Sequence, residues 1–241
     1  MKVAVIVFPG TNCDQDIVHV YRKLLRVKVD LLWHRDTSLG KPDLVILPGG
    51  FSYGDYLRTG ALAKVSPIMT AVRDFVKRGG NVLGICNGFQ ILCEAGLLPG
   101  GLLRNIDQRF LSQFVNIRVE NSRSFFTSGL PVGQVITCPI AHGEGNYLVS
   151  EEELQELESE GQVVLRYCDS AGRVDAGDRS LNPNGSVAAI AGISNREGTV
   201  VGLMPHPERA VELLTGSIGG ASGRALFEAT RLALAPKAPA L

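Results

Sequence analysis

The sequence predicts an α/β fold with a mainly parallel central sheet. Residues 3–8 and 43–47 are near-continuous apolar runs, which is the pattern of strands covered on both faces. Between them, residues 14–25 place apolar side chains at helical spacing, and residues 27–33 form another strand-like run. Strands that alternate with helices in this way are typical of βαβ units, whose strands lie parallel.

The first half of the chain continues this alternation. Ser66 and Pro67 are a typical N-cap and first helical residue, and the glycines at 79–80 end the helix that they begin. Its buried face is predicted from the apolar residues at helical spacing: Ile68, Met69, Val72, Phe75 and Val76. Residues 81–85 then form a strand that runs directly into the helical pattern of residues 89–95.

The second half of the chain has shorter elements. Strand-like segments recur between turn residues: 115–119, 135–140, 163–167, 186–193 and 199–203. A capping box at residues 150–153 opens a short acidic helix, and a final helix spans about residues 223–234 before a Pro- and Ala-rich tail at 235–241. No repeat or linker divides the chain, so we expect a single domain over residues 1–241.

Composition and charge exclude several classes of partner. Hydrophobic residues are 45% and charged residues 20% of the chain, which is typical of globular proteins and argues against disorder. Lys and Arg number 24, as do Asp and Glu, and no basic block stands out, so neither nucleic acid nor a membrane is expected as a partner. No apolar run approaches the roughly 18–20 residues that span a bilayer. The short run at residues 3–8 favours a buried first strand over a signal peptide.

The cysteines indicate a reducing compartment. Their number is odd and their spacing contains no C-x-x-C pair for zinc or redox exchange: Cys13, Cys86, Cys93, Cys138 and Cys168. Scattered free thiols are typical of cytosolic proteins, so we expect a cytoplasmic location and no metal site.

Residues 84–88 have the spacing Gly-x-Cys-x-Gly between a predicted strand and a predicted helix. This is the thiol counterpart of the G-x-S-x-G elbow, whose glycines allow a sharp turn that exposes the nucleophile at the end of the strand. The positive end of the helix dipole would stabilise a thiolate on Cys86, and the N–H of Asn87 would point toward a developing oxyanion. The alternative is a buried structural cysteine in a glycine-rich turn.

A second glycine-rich segment, residues 49–55, follows the strand at 43–47. Two adjacent glycines just past the end of a strand suit main chain that must approach a ligand closely. On its own, however, the pair is more typical of an ordinary tight turn, and both interpretations stay open.

A nucleophilic cysteine needs a general base, and that base needs an orienting group. His206 is followed two residues later by Glu208, and His142 is followed two residues later by Glu144. Pro207 favours extended backbone at His206, in which residues i and i+2 project to the same side. Because glycines surround His142, its geometry is less restricted, so the sequence favours His206 and leaves His142 as the second candidate. The remaining histidines have no acidic neighbour arranged to orient the ring and are expected to be structural: His19 and His34.

Residues 84–90 and 205–208 together resemble the motifs of the class I (triad) glutamine amidotransferases. Further segments resemble those of glutaminase subunits of phosphoribosylformylglycinamidine synthase: residues 9–14, 49–58, 118–121 and 139–145. The matches run in the same order from residue 2 to about residue 209. The resemblance implies a flavodoxin-like, three-layer glutamine amidotransferase type 1 domain.

The resemblance also implies a chemistry. Cys86 would attack the side-chain amide of L-glutamine, and His206, oriented by Glu208, would take up and deliver protons. Ammonia would leave, and a γ-glutamyl thioester on Cys86 would be hydrolysed to glutamate. Further residues match the oxyanion-hole and glutamine-binding positions of the family: Gly50, Asn87 and Gln90.

In that family the ammonia passes to a separate synthetase subunit. With ATP and Mg²⁺, the synthetase converts formylglycinamide ribonucleotide to formylglycinamidine ribonucleotide in purine biosynthesis. The resemblance implies this large subunit and a small accessory subunit as partners, and no cofactor or metal on the chain itself. Two other hypotheses stay open, a stand-alone cysteine hydrolase of the same fold and a non-catalytic, flavodoxin-like binding subunit. The segment at 51–58 argues against the first, and the presence of Cys86, His206 and Glu208 argues against the second.

Overall fold

A nine-stranded sheet forms the centre of the computed structural model, which describes residues 1–216 and 220–235. Five strands on one side of the sheet are parallel, in the order β2-β1-β3-β4-β11. They are β1 (Lys2–Val7), β2 (Lys28–Trp33), β3 (Leu44–Leu47), β4 (Asn81–Ile85) and β11 (Val200–Leu203). The predicted α/β fold is confirmed, and this parallel half contains the strands recognised in the first half of the sequence.

The other side of the sheet is antiparallel, continuing from β11 in the order β10-β9-β6-β7. These strands are β6 (Leu111–Val119), β7 (Val135–His142), β9 (Val163–Cys168) and β10 (Ile190–Ser194). Two short strands pair separately, β5 (Gly101–Leu103) and β8 (Asn146–Leu148). The strand expected over residues 186–193 begins only at Ile190, because Ala188 and Ala189 have positive φ angles of 49° and 55° that interrupt extended backbone.

Helices connect the strands. They are α1 (Asp14–Val18), α2 (Pro67–Lys77), α3 (Asn87–Glu94), α4 (Glu151–Ser159), α5 (Leu213–Gly216) and α6 (Arg224–Ala233). Helix α1 continues as a π-helix (His19–Leu24), since the N–H of Leu25 donates to the carbonyl of Val20. Among the described residues, no helix is long and apolar enough to cross a bilayer.

Glycines let α3 lie directly on the parallel strands. A Cβ atom at Gly88 would lie 1.8 Å from the carbonyl oxygen of Leu47 in β3, and one at Gly202 would lie 2.1 Å from the ring of Phe89. Side chains at either position would therefore force the helix away from the sheet. The predicted domain over residues 1–241 includes 217–219 and 236–241, which lie outside the described residues, and its extent stays a prediction.

Candidate active site

The candidate site lies where β3, β4 and β11 end at the same edge of the sheet. The register pairs Leu47 with Gly84 and Leu203 with Ile85, so the three strands finish at one level. The main chain then continues into the glycines at 49–50, into Cys86 and toward His206. Adjacent parallel strands therefore bring together three segments that are far apart in the sequence.

Cys86 lies at a strained turn between β4 and α3. Its φ of 51° and ψ of −107° fall outside the regions that L residues ordinarily adopt, which is typical of functional sites. Its N–H donates to the carbonyl of Leu203 over 2.8 Å, and its Sγ atom lies 3.8 Å from the carbonyl oxygen of Ala141. The side chain is 5% exposed and borders the site cavity, as expected of a nucleophile elbow.

His206 and Glu208 form a buried pair beside this turn. The Nδ1 atom of His206 lies 2.7 Å from Oε1 of Glu208, and the two residues are 2% and 3% exposed. Because a carboxylate only accepts, Nδ1 carries the proton that it donates to Glu208. The Nε2 atom is then the ring nitrogen that faces away from Glu208. It is buried, and no described residue lies within hydrogen-bonding geometry of it.

The charge on Glu208 determines the protonation of His206. Burial by itself lowers the pKa of the imidazole, but the carboxylate of Glu208 and the thiols of Cys86 and Cys13 outweigh it. The pKa of His206 is therefore held well above its ordinary value. A histidine that readily holds a proton beside a cysteine is suited to receive the proton of that thiol.

The other site residues predicted from the sequence surround the same turn. Gly50, whose φ is 149°, borders the cavities next to Cys86, and a Cβ at this position would lie 2.7 Å from the carbonyl oxygen of Gly10. Asn87 begins α3, accepts the N–H of Ser52 and donates to Oε1 of Gln90. Gln90 in turn donates to the carbonyl of Glu144 over 2.6 Å. These contacts join the elbow to the two loops that flank it.

Cys13 and Arg209 also belong to the site, although sequence reasoning assigned neither a role there. The Sγ atom of Cys13 and one ligand-type atom each of His206 and Glu208 lie within 4.8 Å of one another. Burial raises the pKa of Cys13, and Arg209 donates to its Sγ over 3.1 Å. This guanidinium disfavours a cation at the same position. The expected absence of a metal stays a prediction.

His142, the second candidate base, has a different partner from the one its sequence suggests. The pairing of His142 with Glu144 is wrong, since Glu144 accepts a hydrogen bond from Thr59 instead. The Nδ1 atom of His142 lies 3.0 Å from Oδ1 of Asn105, whose NH₂ group already donates to two carbonyls. Nδ1 is therefore the protonated nitrogen, and Nε2 is a buried acceptor without a partner among the described residues.

The burial of His142 makes the free energy of unfolding depend on pH. Burial, together with the charge of His206, lowers the pKa of His142 from 6.5 to about 4. Because the lowered pKa means that the unfolded chain binds a proton at His142 more readily than the folded chain does, the free energy of unfolding decreases as the pH falls from 6.5 toward 4. Between pH 7.5 and pH 5, the free energy of unfolding should fall further in wild type than in the variant His142→Gln. We expect the difference to be about 2 kcal/mol.

Urea unfolding of both proteins at the two pH values measures this difference. The comparison with the variant is needed because the raised pKa of His206 acts in the opposite sense and loses stability as the pH rises. The same pH dependence in wild type and variant would contradict a neutral, buried His142.

The two remaining histidines lie outside the site cavities. His34 is buried, and its Nδ1 atom lies 2.6 Å from the hydroxyl of Tyr53, while its structural role stays a prediction. His19 is exposed and pairs with Glu212, an acidic partner 193 residues away that no local pattern could indicate. All five cysteines are free thiols.

Comparisons with known proteins agree with this geometry. Residues 1–229 match the model of the CobB/CobQ-like glutamine amidotransferase domain. The chain is 55% identical over 227 residues to phosphoribosylformylglycinamidine synthase subunit PurQ of Moorella thermoacetica, covering 94% of each protein. It is 54% identical over 220 residues to the PurQ subunit of Aquifex aeolicus, covering 91% of this chain and 96% of that one.

A solved structure is similar along nearly the whole chain. A protein from the structure of PurLQS from Thermotoga maritima superposes with a TM-score of 0.82 at 40% sequence identity, covering 97% of this chain and 98% of that one. The family model and these relatives cover the elbow, the His–Glu pair and the loops between them. This chain therefore belongs to the glutamine amidotransferases and, within them, to the PurQ family of phosphoribosylformylglycinamidine synthase subunits.

Proposed function

We propose that this chain is the glutaminase subunit of a phosphoribosylformylglycinamidine synthase and supplies ammonia from L-glutamine to purine biosynthesis. The observation that carries the proposal is the buried His206–Glu208 pair beside the strained Cys86, in a chain 55% identical to a PurQ subunit. A His–carboxylate pair next to an activated thiol is the arrangement for acyl transfer through a covalent intermediate.

The proposed reaction begins with transfer of the Cys86 thiol proton to Nε2 of His206. The thiolate sulfur then bonds to the amide carbon of glutamine, and the carbonyl oxygen becomes an oxyanion near the main-chain N–H groups of Gly50 and Asn87. The imidazolium, which Glu208 stabilises, returns its proton to the nitrogen, so that the C–N bond breaks and ammonia leaves.

A water molecule completes the cycle. His206 takes a proton from the water as its oxygen attacks the thioester carbon, and the carbon–sulfur bond then breaks. The products are glutamate and the regenerated thiol of Cys86, so one glutamine and one water yield one glutamate and one ammonia. No step requires a redox or metal cofactor on this chain, and the ATP and Mg²⁺ of the overall synthesis are assigned to the synthetase partner.

The partners follow from the same family membership. A large synthetase subunit would consume the ammonia, and a small accessory subunit would complete the complex. The similarity to a chain from the PurLQS structure supports this assembly. We place the complex in the cytoplasm, which is consistent with five free thiols in the chain.

Measuring glutamine hydrolysis with and without the partners tests the proposal. The isolated chain should hydrolyse glutamine weakly, and its activity should rise when the large and small subunits are added with formylglycinamide ribonucleotide and ATP. Equal activity alone and in the complex would instead identify a stand-alone cysteine hydrolase. The matched control is the same complex supplied with ammonium chloride, which bypasses the glutaminase site.

A further inference from the structure

The cavity that contains Cys86 ends in a cluster of hydrogen-bond acceptors on the side away from His206. Two adjoining cavities of about 170 and 210 Å³ share Gly50, Phe51, Cys86, Phe110 and Ala141 along their common boundary. The 210 Å³ cavity leads to His206, Cys13 and Arg209. The 170 Å³ cavity leads instead to Asp55, Thr59, His142 and Glu144, which we call the acceptor end.

Two atoms at the acceptor end lack a hydrogen-bond partner. Oδ1 of Asp55 and Nε2 of His142 are both buried, and neither accepts a hydrogen bond from any part of the chain that the structure describes. His142 is only 3% exposed, and its Nε2 carries a lone pair because Asn105 binds the proton on Nδ1. A buried acceptor without a hydrogen bond is energetically unfavourable, so both atoms are suited to a donor that a ligand brings.

The acceptor end also carries uncompensated negative charge. Burial and the nearby charge of Glu144 raise the pKa of Asp55 to about 6, so Asp55 is still mainly ionised at pH 7. The basic residues nearest to Asp55 in the sequence, Arg58 and Lys64, both pair with Glu94 instead. Thr59, the other polar side chain here, donates a hydrogen bond from its hydroxyl to the carboxylate of Glu144.

We propose that Asp55, His142 and Glu144 bind the α-ammonium group of L-glutamine. This inference rests on the proposed glutaminase function and extends it to the recognition of the amino-acid end of the substrate. An ammonium group has three N–H donors and one positive charge, which match the acceptors and the charge at this end of the cavity. The side-chain amide of the same molecule would then lie at Cys86, where the two cavities meet.

The position of the acceptor end is held by the elbow itself. Gln90 in α3 donates to the main-chain carbonyl of Glu144, and Asn87 binds both Gln90 and the N–H of Ser52. The loops that carry Asp55 and Glu144 are thus hydrogen-bonded to the helix that begins at Cys86. The distance between the thiol and the ammonium site is set by this network, so it can select for the length of the glutamine side chain.

The test compares glutamine with glutaramate, which is the same molecule without the α-amino group. Both are assayed for ammonia release by the assembled complex of wild type, Asp55→Asn and Glu144→Gln. Each variant should raise the KM for glutamine by about tenfold or more, the effect of losing one charge-assisted hydrogen bond, while kcat changes little. The kcat/KM for glutaramate should stay near that of wild type, because glutaramate does not use the site.

Asp74→Asn is the matched control, since Asp74 borders a separate cavity that shares no residue with the site. Ammonia-dependent synthesis reports whether each variant still folds and assembles. An equal loss with glutamine and glutaramate, or an unchanged KM for glutamine in both variants, would overturn the inference. A wild-type complex that hydrolyses neither compound would instead refute the proposed function on which the inference rests.

Discussion

Replacing Cys86 with alanine should abolish glutamine-dependent synthesis by the assembled complex. We expect the rate to fall by at least about 10³-fold, because the proposed reaction passes through a thioester on Cys86. Synthesis from ammonium chloride should continue at the wild-type rate, since the substitution leaves the synthetase partner intact. Both rates are measured as formylglycinamidine ribonucleotide produced per minute.

Cys93→Ala is the control for this substitution. Cys93 lies in the same helix, and among the described residues its Sγ atom is hydrogen-bonded only to the carbonyl of Pro99. Replacing Cys93 should therefore leave glutamine-dependent synthesis intact. Substantial glutamine-dependent synthesis by the Cys86 variant would rule out this residue as the nucleophile. Cys13, the other thiol near His206, would then be the first alternative to examine.

Replacing Glu208 with glutamine should lower kcat for glutamine hydrolysis by about 10²- to 10⁴-fold, as loss of the orienting carboxylate does in other triads. The neutral amide removes the charge that raises the pKa of His206, and its NH₂ group can donate to Nδ1 and so reverse the tautomer. The pH at which the residual activity declines on the acidic side should therefore move down. Steady-state rates from pH 5 to pH 9 measure both effects.

Glu228→Gln provides a matched substitution away from the site, because Glu228 pairs only with Arg224 among the described ion pairs, within helix α6. The Glu228→Gln variant should show the same dependence of rate on pH as wild type. A Glu208 variant that kept the wild-type kcat, or lost activity without any change in its pH profile, would contradict a role in orienting and charging His206.

Much of the geometry of the candidate site could be predicted because its signals are local. The glycines around Cys86 and the spacing of His206 and Glu208 each describe a turn that forms within a few residues. The end of an apolar run before each segment indicated that both would lie at the carboxyl edge of a sheet. What no local pattern could show was the adjacency of β4 and β11, since these strands are more than 100 residues apart in the chain.

The rest of the site depends on contacts between distant segments. His142 is followed by an acidic residue at the right spacing, yet its partner is Asn105, which is 37 residues away. The side chains of Cys13 and His206 lie close together. The motif after the first strand that contains Cys13 did not predict this proximity. The antiparallel half of the sheet was recognised only as a set of strands, because hydrophobic spacing does not specify which strands pair.

The close approach of Gly88 to the carbonyl oxygen of Leu47 limits how this enzyme can be regulated. Helix α3 begins directly after Cys86, and β3 ends three residues before Gly50, so one tightly packed contact joins the elbow to the glycine loop. They must move as one rigid unit, because packed interiors do not deform gradually. We therefore expect a synthetase that switches on glutamine hydrolysis to act on the loops around this unit and to leave the geometry of the elbow unchanged.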